Sequence, residues 1–268
     1  MNIVVIVQAR TGSTRLPGKI LKKILDKPVL TLQMERMLAA KLPSKVVIAT
    51  THQKEDDPII EVCKEYEYPY FRGHPTDLLD RHYQAAKEFE ADVAIKIPSD
   101  CPLIDPSVID RVIRFYLDNR FKYDFVSNLH PPTYPDGNDV EIMPMKILKK
   151  AWKNAEKNFE LEHTTPYIWD NPQKFRIGNV RWETGLDYSM SHRFTIDYQE
   201  DLDFIKAVYE ELYPKDALFS LNDILNLLEE KPEIYEINSK YAGVNWYRDH
   251  IEELRTIKQE QTKNVSDR

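Results

Sequence analysis

The sequence predicts an α/β protein in which a mostly parallel central sheet is covered by helices on both faces. Throughout the first half of the chain, short β-branched runs alternate with stretches whose apolar residues recur at helical spacing. The strand runs are continuously apolar, which is typical of parallel strands that are buried on both faces. Strands separated by helices complete the pattern expected of this fold class.

The elements of the first half follow one another in alternation. The predicted strands are residues 2–8, 45–50, 68–72 and 92–97, the last of which stops at Pro98. The predicted helices are residues 28–40, a segment through Ile59 and Cys63, residues 78–89, and residues 106–117. The last of these begins with a proline, as helices often do.

The pattern changes after a strand at 124–128. Residues 130–138 form a loop rich in Pro, Asp and Gly. Further strands are predicted at 139–142, 175–182 and 194–196, the last as a late return to the central sheet. Helices are predicted at 144–157, 162–170, 200–212, 221–228 and 246–254, before a polar, frayed tail at 256–268.

We expect residues 1–212 to form the main domain and residues 213–268 a C-terminal helical extension. Within the main domain, residues 130–190 form an excursion that suits a lobe, a lid or a dimer arm.

Composition narrows the function classes. The chain has 268 residues, of which 42% are hydrophobic and 30% charged, so a packed core is well supplied. No apolar run approaches the roughly 20 residues of a membrane helix, and the N-terminus does not resemble a secretory signal. The chain has only two cysteines, and this low number predicts a reducing, cytoplasmic setting. A net charge of −7 argues against nucleic acid as a partner.

The first candidate site is the loop that directly follows the first predicted strand. It contains Gly12 and Gly18, two of only seven glycines, together with Arg10, Arg15 and Lys19. Glycines let backbone N–H groups approach an anion, and the strand's carboxyl end is where ligands collect in α/β sheets. The loop therefore suits a polyphosphate, although its spacing is neither that of a Walker loop nor that of a dinucleotide fingerprint. A solvated basic turn is the alternative.

Two acidic residues lie at the ends of other predicted strands. Asp100 follows the strand at 92–97 and is placed to hold Mg²⁺ against phosphate oxygens. Its alternative role is to cap the helix at 106, for which Asp105 is better placed. Asp197 follows the segment 194–196, and its alternative role is an N-cap for the next helix. Both carboxylates and the cationic loop together fit a metal–triphosphate site better than any one of them alone.

These motifs resemble those of the cytidylyltransferases that make CMP-activated sugars. The opening motif is Gln8-Ala-Arg-Thr-Gly-Ser-Thr-Arg-Leu-Pro-Gly-Lys19, and the most similar branch is that of spore coat polysaccharide biosynthesis protein F. Further matching stretches, in order, are 71–73, 79–86, 99–103, 136–141, 162–167 and 193–201. The octulosonate branch carries a Gly-Asp-Glu-Pro-like stretch where this chain has Ser99-Asp-Cys-Pro, so the octulosonate and sialic acid substrates are not carried over.

The resemblance implies a nucleotidyltransferase, Rossmann-like fold, and transfer of CMP from CTP to a sugar or sugar-like acid with release of pyrophosphate. It implies a triphosphate bound by Arg10, Arg15 and Lys19, and Mg²⁺ held by Asp100 and Asp197. The catalytic set is then Arg10, Arg15, Lys19 and Asp100. The remaining implied nucleotide-binding residues are Gln8, Ala9, Gly12, Ser13, Arg72, Asp80, Arg81 and Ser99. The implied acceptor-binding residues are Asp139, Glu141, His163 and Arg193.

The resemblance also implies a cytoplasmic homodimer that makes surface polysaccharide or glycoconjugate precursors. Two other functions stay open on the sequence. One is a glycosyltransferase of related fold, for which the expected D-x-D pair is replaced by a single aspartate at Asp100. The other is a nucleotide-binding protein that keeps the pocket without turnover.

Overall fold

A computed structural model of the chain describes residues 1–265 and shows the alternation of strands and helices that the sequence predicts. The nine strands within these residues are β1 (Ile3–Gln8), β2 (Lys23–Ile24), β3 (Lys27–Pro28), β4 (Lys45–Thr51), β5 (Tyr70–Gly73), β6 (Val93–Pro98), β7 (Phe125–Ser127), β8 (Glu141–Pro144) and β9 (Ile177–Asn179).

Ten α-helices connect the strands or follow them within the same described residues. They are α1 (Val29–Leu38), α2 (Asp57–Glu65), α3 (Leu78–Glu88), α4 (Pro106–Asn119), α5 (Met145–Asn154), α6 (Asn158–His163), α7 (Pro166–Trp169), α8 (Gln199–Leu212), α9 (Leu221–Glu230) and α10 (Pro232–Glu236). In residues 1–265 no helix combines the length and apolar character that a membrane crossing requires.

Seven of the strands form one sheet in the order β5-β4-β1-β6-β8-β7-β9. The pairs β5–β4, β4–β1, β1–β6 and β7–β9 are parallel, whereas β8 runs antiparallel to both β6 and β7. The prediction of a mostly parallel sheet is therefore confirmed, with one reversed strand. Strands β2 and β3 form a separate small hairpin.

Helices cover both faces of this sheet because alternate residues of each strand point in opposite directions. On one face, Val5 and Val7 pack with residues of α1, α2 and α4. On the other face, Val4 and Ile6 pack with residues of α3 and α5. The central strands are therefore apolar on both faces over most of their length, as the continuous hydrophobic runs predicted, with Lys96 of β6 as an exception.

The prediction of a sheet strand at 194–196 is wrong. Arg193 makes only an isolated bridge to Asp136, and the Phe194 and Ile196 N–H groups donate to the carbonyl oxygens of Asp136 (2.7 Å) and Asp100 (2.9 Å). The segment pairs with two loops at the end of the sheet instead of with a strand. It packs against α8 and α9 in a third hydrophobic cluster.

Three helical predictions also need correction. The helix predicted at 162–170 is broken into α6 and α7 at Thr164, whose φ is 71°. The segment 246–254 has a single short 3₁₀ turn, Trp246–Asp249, followed by turns. The tail predicted from residue 256 onward packs against the domain as far as it is described: Ile257 is buried, and Thr256 donates to Asp170. Residues 266–268 lie outside the described part.

Gly137, within the 130–138 loop, packs closely against the segment at 193–197, and we predict that this position requires glycine. Its φ is +102°, and a Cβ there would lie 2.7 Å from the carbonyl carbon of Phe194. We expect Gly137→Ala to lower the free energy of unfolding by about 1–3 kcal/mol or more, measured by urea denaturation.

Gly12→Ala is the matched control, since no atom lies within 4 Å of a Cβ at that position. It should leave the free energy of unfolding unchanged or raise it by up to about 1 kcal/mol. Equal effects of the two substitutions would show that the contact between the loop and the 193–197 segment does not constrain Gly137.

Candidate active site

The loop after β1 and the residues after β6 meet at one edge of the sheet. Gln8, at the end of β1, lies opposite Pro98, at the end of β6, in a parallel pair. The chain continues from these positions into the cationic loop and into Ser99 and Asp100. Both segments line a crevice with a volume of about 460 Å³. This is the position at which open α/β sheets bind ligands.

Internal hydrogen bonds hold the cationic loop in shape. Gly18 adopts a left-handed conformation (φ 67°), and its N–H donates to the carbonyl oxygen of Thr11 at 2.9 Å. The Thr11 N–H and hydroxyl both donate to the buried Asp56 carboxylate, at 2.7 and 2.8 Å. The glycine is therefore required for the turn, and Asp56 anchors the loop to the start of α2.

Lys19 connects the loop to both acidic residues. Its Nζ lies 2.7 Å from Asp100 Oδ2 and 3.1 Å from Asp197 Oδ1, and it also donates to the carbonyl oxygen of Ile196. Arg15 donates to the same Asp197 oxygen at 2.7 Å. The structure thus brings two carboxylates from distant parts of the chain to one ammonium group that faces the crevice.

The charges of this cluster stabilise one another. Burial alone would lower the pKa of Lys19, but Asp100 and Asp197 outweigh it and raise that pKa above its usual value. Burial alone would raise the pKa of Asp197, but Lys19, Arg15 and Arg193 hold it well below its usual range. Lys19 and Asp197 are consequently both charged at neutral pH.

Arg193 connects the part of the crevice that contains Asp197 to the part that contains Asp136. Its guanidinium donates to Asp197 (2.8 Å), Asp201 (3.0 Å) and Asp136 (3.3 Å), and also to the carbonyl oxygen of Val244. The side chain is only 1% exposed. Its donors are committed to protein groups, so the geometry does not support the direct acceptor contact implied for Arg193. We conclude that Arg193 positions Asp136 and Asp197.

Glu141 lies in a buried polar network of the crevice. It belongs to the region that we call the far side, which is lined by Lys96, His130, Asp139, Glu141, His163 and Trp169. It forms an ion pair with Lys96, its cross-strand neighbour on β6, and accepts a hydrogen bond from the Thr165 hydroxyl at 2.7 Å. Burial favours its neutral form, but Lys96 and His130 lower the pKa of Glu141 to about 2. Glu141 is therefore ionised and already paired.

His163 stacks on Trp246, with ring centroids 3.7 Å apart. Burial, together with Lys96 and His250, lowers the pKa of His163 to about 3. The imidazole is therefore neutral at physiological pH and contributes an aromatic face rather than a positive charge.

Most of the predicted site residues line this one crevice. They are Gln8, Arg10, Gly12, Ser13, Arg15, Lys19, Arg81, Ser99, Asp100, Asp139, Glu141, His163, Arg193 and Asp197.

Three of the nucleotide-binding predictions do not belong to this lining. Ala9 is buried and its N–H donates to Ala49. Arg72 donates to the carbonyl oxygens of Thr51 and Gln53. Asp80 accepts from Gln84 and from the Trp152 indole. Each of these residues is occupied by contacts within the protein.

Sequence reasoning missed an entire wall of the crevice. Residues 243–250 of the C-terminal part line it, as do Lys96, His130 and Trp169. A single lysine inside an apolar strand and a short segment without a motif carry no local signal of a site. Only the folded chain brings them next to the loop after β1.

Residues 4–234 match the family model described as cytidylyltransferase. The chain belongs to the cytidylyltransferase family. The resemblance seen in the motifs is thereby confirmed over most of the chain, and members of this family are CTP-dependent nucleotidyltransferases.

Named proteins and a solved structure are similar to this cytidylyltransferase over much of its length. Spore coat polysaccharide biosynthesis protein SpsF of Bacillus subtilis is 28% identical, over 87% of this chain and 96% of that protein. The 3-deoxy-manno-octulosonate cytidylyltransferase of Trichlorobacter lovleyi is 35% identical, over 58% of this chain and 68% of that protein. A cytidylyltransferase structure from Leptospira borgpetersenii has 33% identity and a TM-score of 0.83, covering 88% of this chain and 97% of that one.

Proposed function

We propose that this cytidylyltransferase transfers CMP from CTP to a hydroxyl group of a sugar or sugar-like acid, for the biosynthesis of a surface polysaccharide or glycoconjugate. The observation that carries the proposal is the contact of Lys19 with both Asp100 and Asp197 in the crevice at the carboxyl ends of β1 and β6. The names of the spore coat and octulosonate relatives support the class of product.

The reaction forms a bond between the acceptor oxygen and the α-phosphorus of CTP. The bond from that phosphorus to the bridging oxygen breaks, pyrophosphate leaves, and the hydroxyl proton passes to solvent or a base. Such a displacement needs the phosphate charges neutralised and the attacking oxygen held in line. Arg10, Arg15 and Lys19, which all line the crevice, are the groups of this chain suited to bind the triphosphate.

Mg²⁺ fits the two acidic residues that Lys19 bridges. Proteins that use Mg²⁺ with nucleotides bind it through one or two carboxylates together with phosphate oxygens. Asp100 and Asp197 contact the same ammonium nitrogen, so they converge on one point where a cation is stabilised. Bound by these carboxylates beside Lys19, Mg²⁺ would neutralise charge on the phosphates, while Arg193 holds the Asp197 carboxylate in place.

The location and assembly of the enzyme are part of the same proposal. Cys63 and Cys101 are both buried and free, which supports a reducing, cytoplasmic setting. A homodimer that uses residues 130–190 as its interface follows from the resemblance alone. Sedimentation equilibrium of the full chain would measure it, and a monomer would reject that part of the proposal.

The catalytic proposal is tested by release of pyrophosphate from CTP in the presence of Mg²⁺ and a panel of sugar acids. We expect release that depends on CTP and on one class of acceptor, with ATP, GTP and UTP as controls. Removal of the metal with EDTA should abolish turnover, and added Mg²⁺ should restore it. Turnover with another nucleotide but none with CTP would contradict the assignment, and full activity in EDTA would contradict the metal site.

A further inference from the structure

The far side of the crevice is poor in available positive charge. Each cationic side chain of the lining except Arg81 lies within 4.0 Å of a carboxylate, among the residues that the structure describes. These pairs are Arg10–Glu162, Arg15–Asp197, Lys19–Asp100, Lys96–Glu141, Arg193–Asp136 and Arg248–Asp249. An acceptor carboxylate would have to share one of these cations with its present partner, whereas an amino group would not.

Histidines do not change this balance. Burial lowers the pKa values of both His130 and His163, so both rings are neutral at physiological pH. The remaining cation of the lining, Arg81, has Asp56 and Asp77 as its nearby negative charges; Asp56 accepts from Thr11 in the loop after β1, and Asp77 is the N-cap of α3. Arg81 therefore belongs with the nucleotide-binding residues rather than with the acceptor side.

Asp139 is the opposite case, a carboxylate of the lining without a cationic partner. Within residues 1–265 its side chain accepts one hydrogen bond, from the Gly137 N–H at 3.2 Å, and forms no ion pair within 4.0 Å. Burial and the nearby carboxylates of Glu141 and Asp100 raise the pKa of Asp139, because the protein offers its charged form one hydrogen bond and only more distant cations such as Lys96. A buried anion of this kind is stabilised by any cation that a ligand brings to it.

A second, independent feature also points to a polar ligand here. The His130 side chain is only 10% exposed, and its Nε2 lies 3.8 Å from Glu141 Oε1, beyond hydrogen-bond distance, so that neither ring nitrogen has a hydrogen-bond partner among the described residues. The ring lines the same crevice. A neutral imidazole offers one donor and one acceptor, which suits a sugar hydroxyl. Orphaned buried groups of this kind are rare in folded proteins.

Aromatic rings complete the surroundings. Trp169, Trp246 and Tyr247 line the crevice, and Trp246 stacks on His163. Trp169 is likewise stacked on His130, with ring centroids 4.2 Å apart. Such apolar surroundings screen charges less than water does and would strengthen an ion pair between Asp139 and a ligand cation.

We propose that the acceptor of this enzyme carries a protonated amino group, which pairs with Asp139, while its hydroxyl groups bond to His130. The substrate class is thus an amino-substituted sugar or sugar acid. This inference rests on the proposed cytidylyl transfer, because the amino group belongs to the molecule that is proposed to receive CMP.

The test compares pairs of acceptors that differ only by an amino group in place of a hydroxyl. The probes are gluconate with 2-amino-2-deoxygluconate, and 3-deoxy-manno-octulosonate with its 8-amino-8-deoxy derivative. Titration calorimetry on full-length protein with CTP and Mg²⁺ gives the binding ratio, and pyrophosphate release gives kcat/KM. We expect the amino member of at least one pair to bind about tenfold or more tightly.

Asp139→Asn should remove this preference, whereas Glu162→Gln, which changes another carboxylate of the lining, should keep it. Equal or weaker binding of the amino member in every pair would overturn the inference, as would a preference that survives Asp139→Asn. A fall in kcat that is equal for both members, with the binding ratio kept, would assign Asp139 to the reacting hydroxyl instead and also overturn it. An amine preference without any pyrophosphate release would reject cytidylyl transfer but retain the amine site.

Discussion

Asp100→Asn is expected to reduce kcat for pyrophosphate release on the order of 10²- to 10³-fold or more. The substitution keeps the shape of the side chain but removes the charge that contacts Lys19 at 2.7 Å. If Asp100 holds Mg²⁺ against the phosphates, the reacting centre loses much of its charge stabilisation. Steady-state kinetics at saturating CTP and Mg²⁺ measure the effect.

The fold should tolerate this substitution because Lys19 keeps its contacts with Asp197 and the Ile196 carbonyl oxygen. The urea midpoint of the variant should therefore stay close to that of the wild type. Asp118→Asn is the matched control: Asp118 is an exposed residue near the end of α4. It should retain wild-type kcat. Full activity of Asp100→Asn at saturating CTP would contradict the metal proposal.

Arg193→Met is expected to lower the free energy of unfolding by about 3–5 kcal/mol, because it leaves buried carboxylates without their cation. Asp201 is fully buried, and Asp136 and Asp197 share the same guanidinium. Burial by itself would lower the pKa of Arg193, but the three carboxylates raise it, so the charged form is strongly preferred. Urea denaturation at pH 7 gives the free energy.

Arg193→Lys keeps the charge but cannot reproduce the branched geometry that reaches three carboxylates. It should recover only part of the lost stability, and it keeps the prediction measurable if Arg193→Met does not fold. Arg114→Met, at an exposed position of α4, should change the free energy of unfolding by less than about 0.5 kcal/mol. An Arg193→Met protein as stable as the wild type would show that the guanidinium does not hold these carboxylates.

The sequence predicted the elements that depend on local pattern. The continuous apolar runs of β1, β4 and β6 indicated a parallel sheet, and their ends placed the loop after Gln8 next to Asp100. Asp105 was preferred to Asp100 as the cap of α4, and its carboxylate indeed accepts from the Ser107 N–H at 2.7 Å. Motifs at strand ends are informative because parallel strands bring their carboxyl ends together.

Features that depend on tertiary contacts escaped prediction. The segment at 194–196 has the composition of a strand, but it lies between the loops at Asp100 and Asp136 and has no neighbouring strand to join. Lys96 gave no signal inside an apolar run, because its partner Glu141 lies on β8, far along the chain. Thr164 interrupts an otherwise helical pattern through a left-handed backbone conformation that its side chain does not announce.

The stretch from Gly243 to His250 lines the same crevice as Arg10, Arg15 and Lys19, although a long stretch of chain separates the two segments. In the proposed roles, the cations for the triphosphate come from one segment, whereas the acceptor residues His130 and Asp139 and the stretch 243–250 come from later segments. Substitutions in the later segments are therefore expected to change the acceptor preference and leave the cationic loop unchanged. Divergence confined to those segments would change the product and keep the transfer reaction.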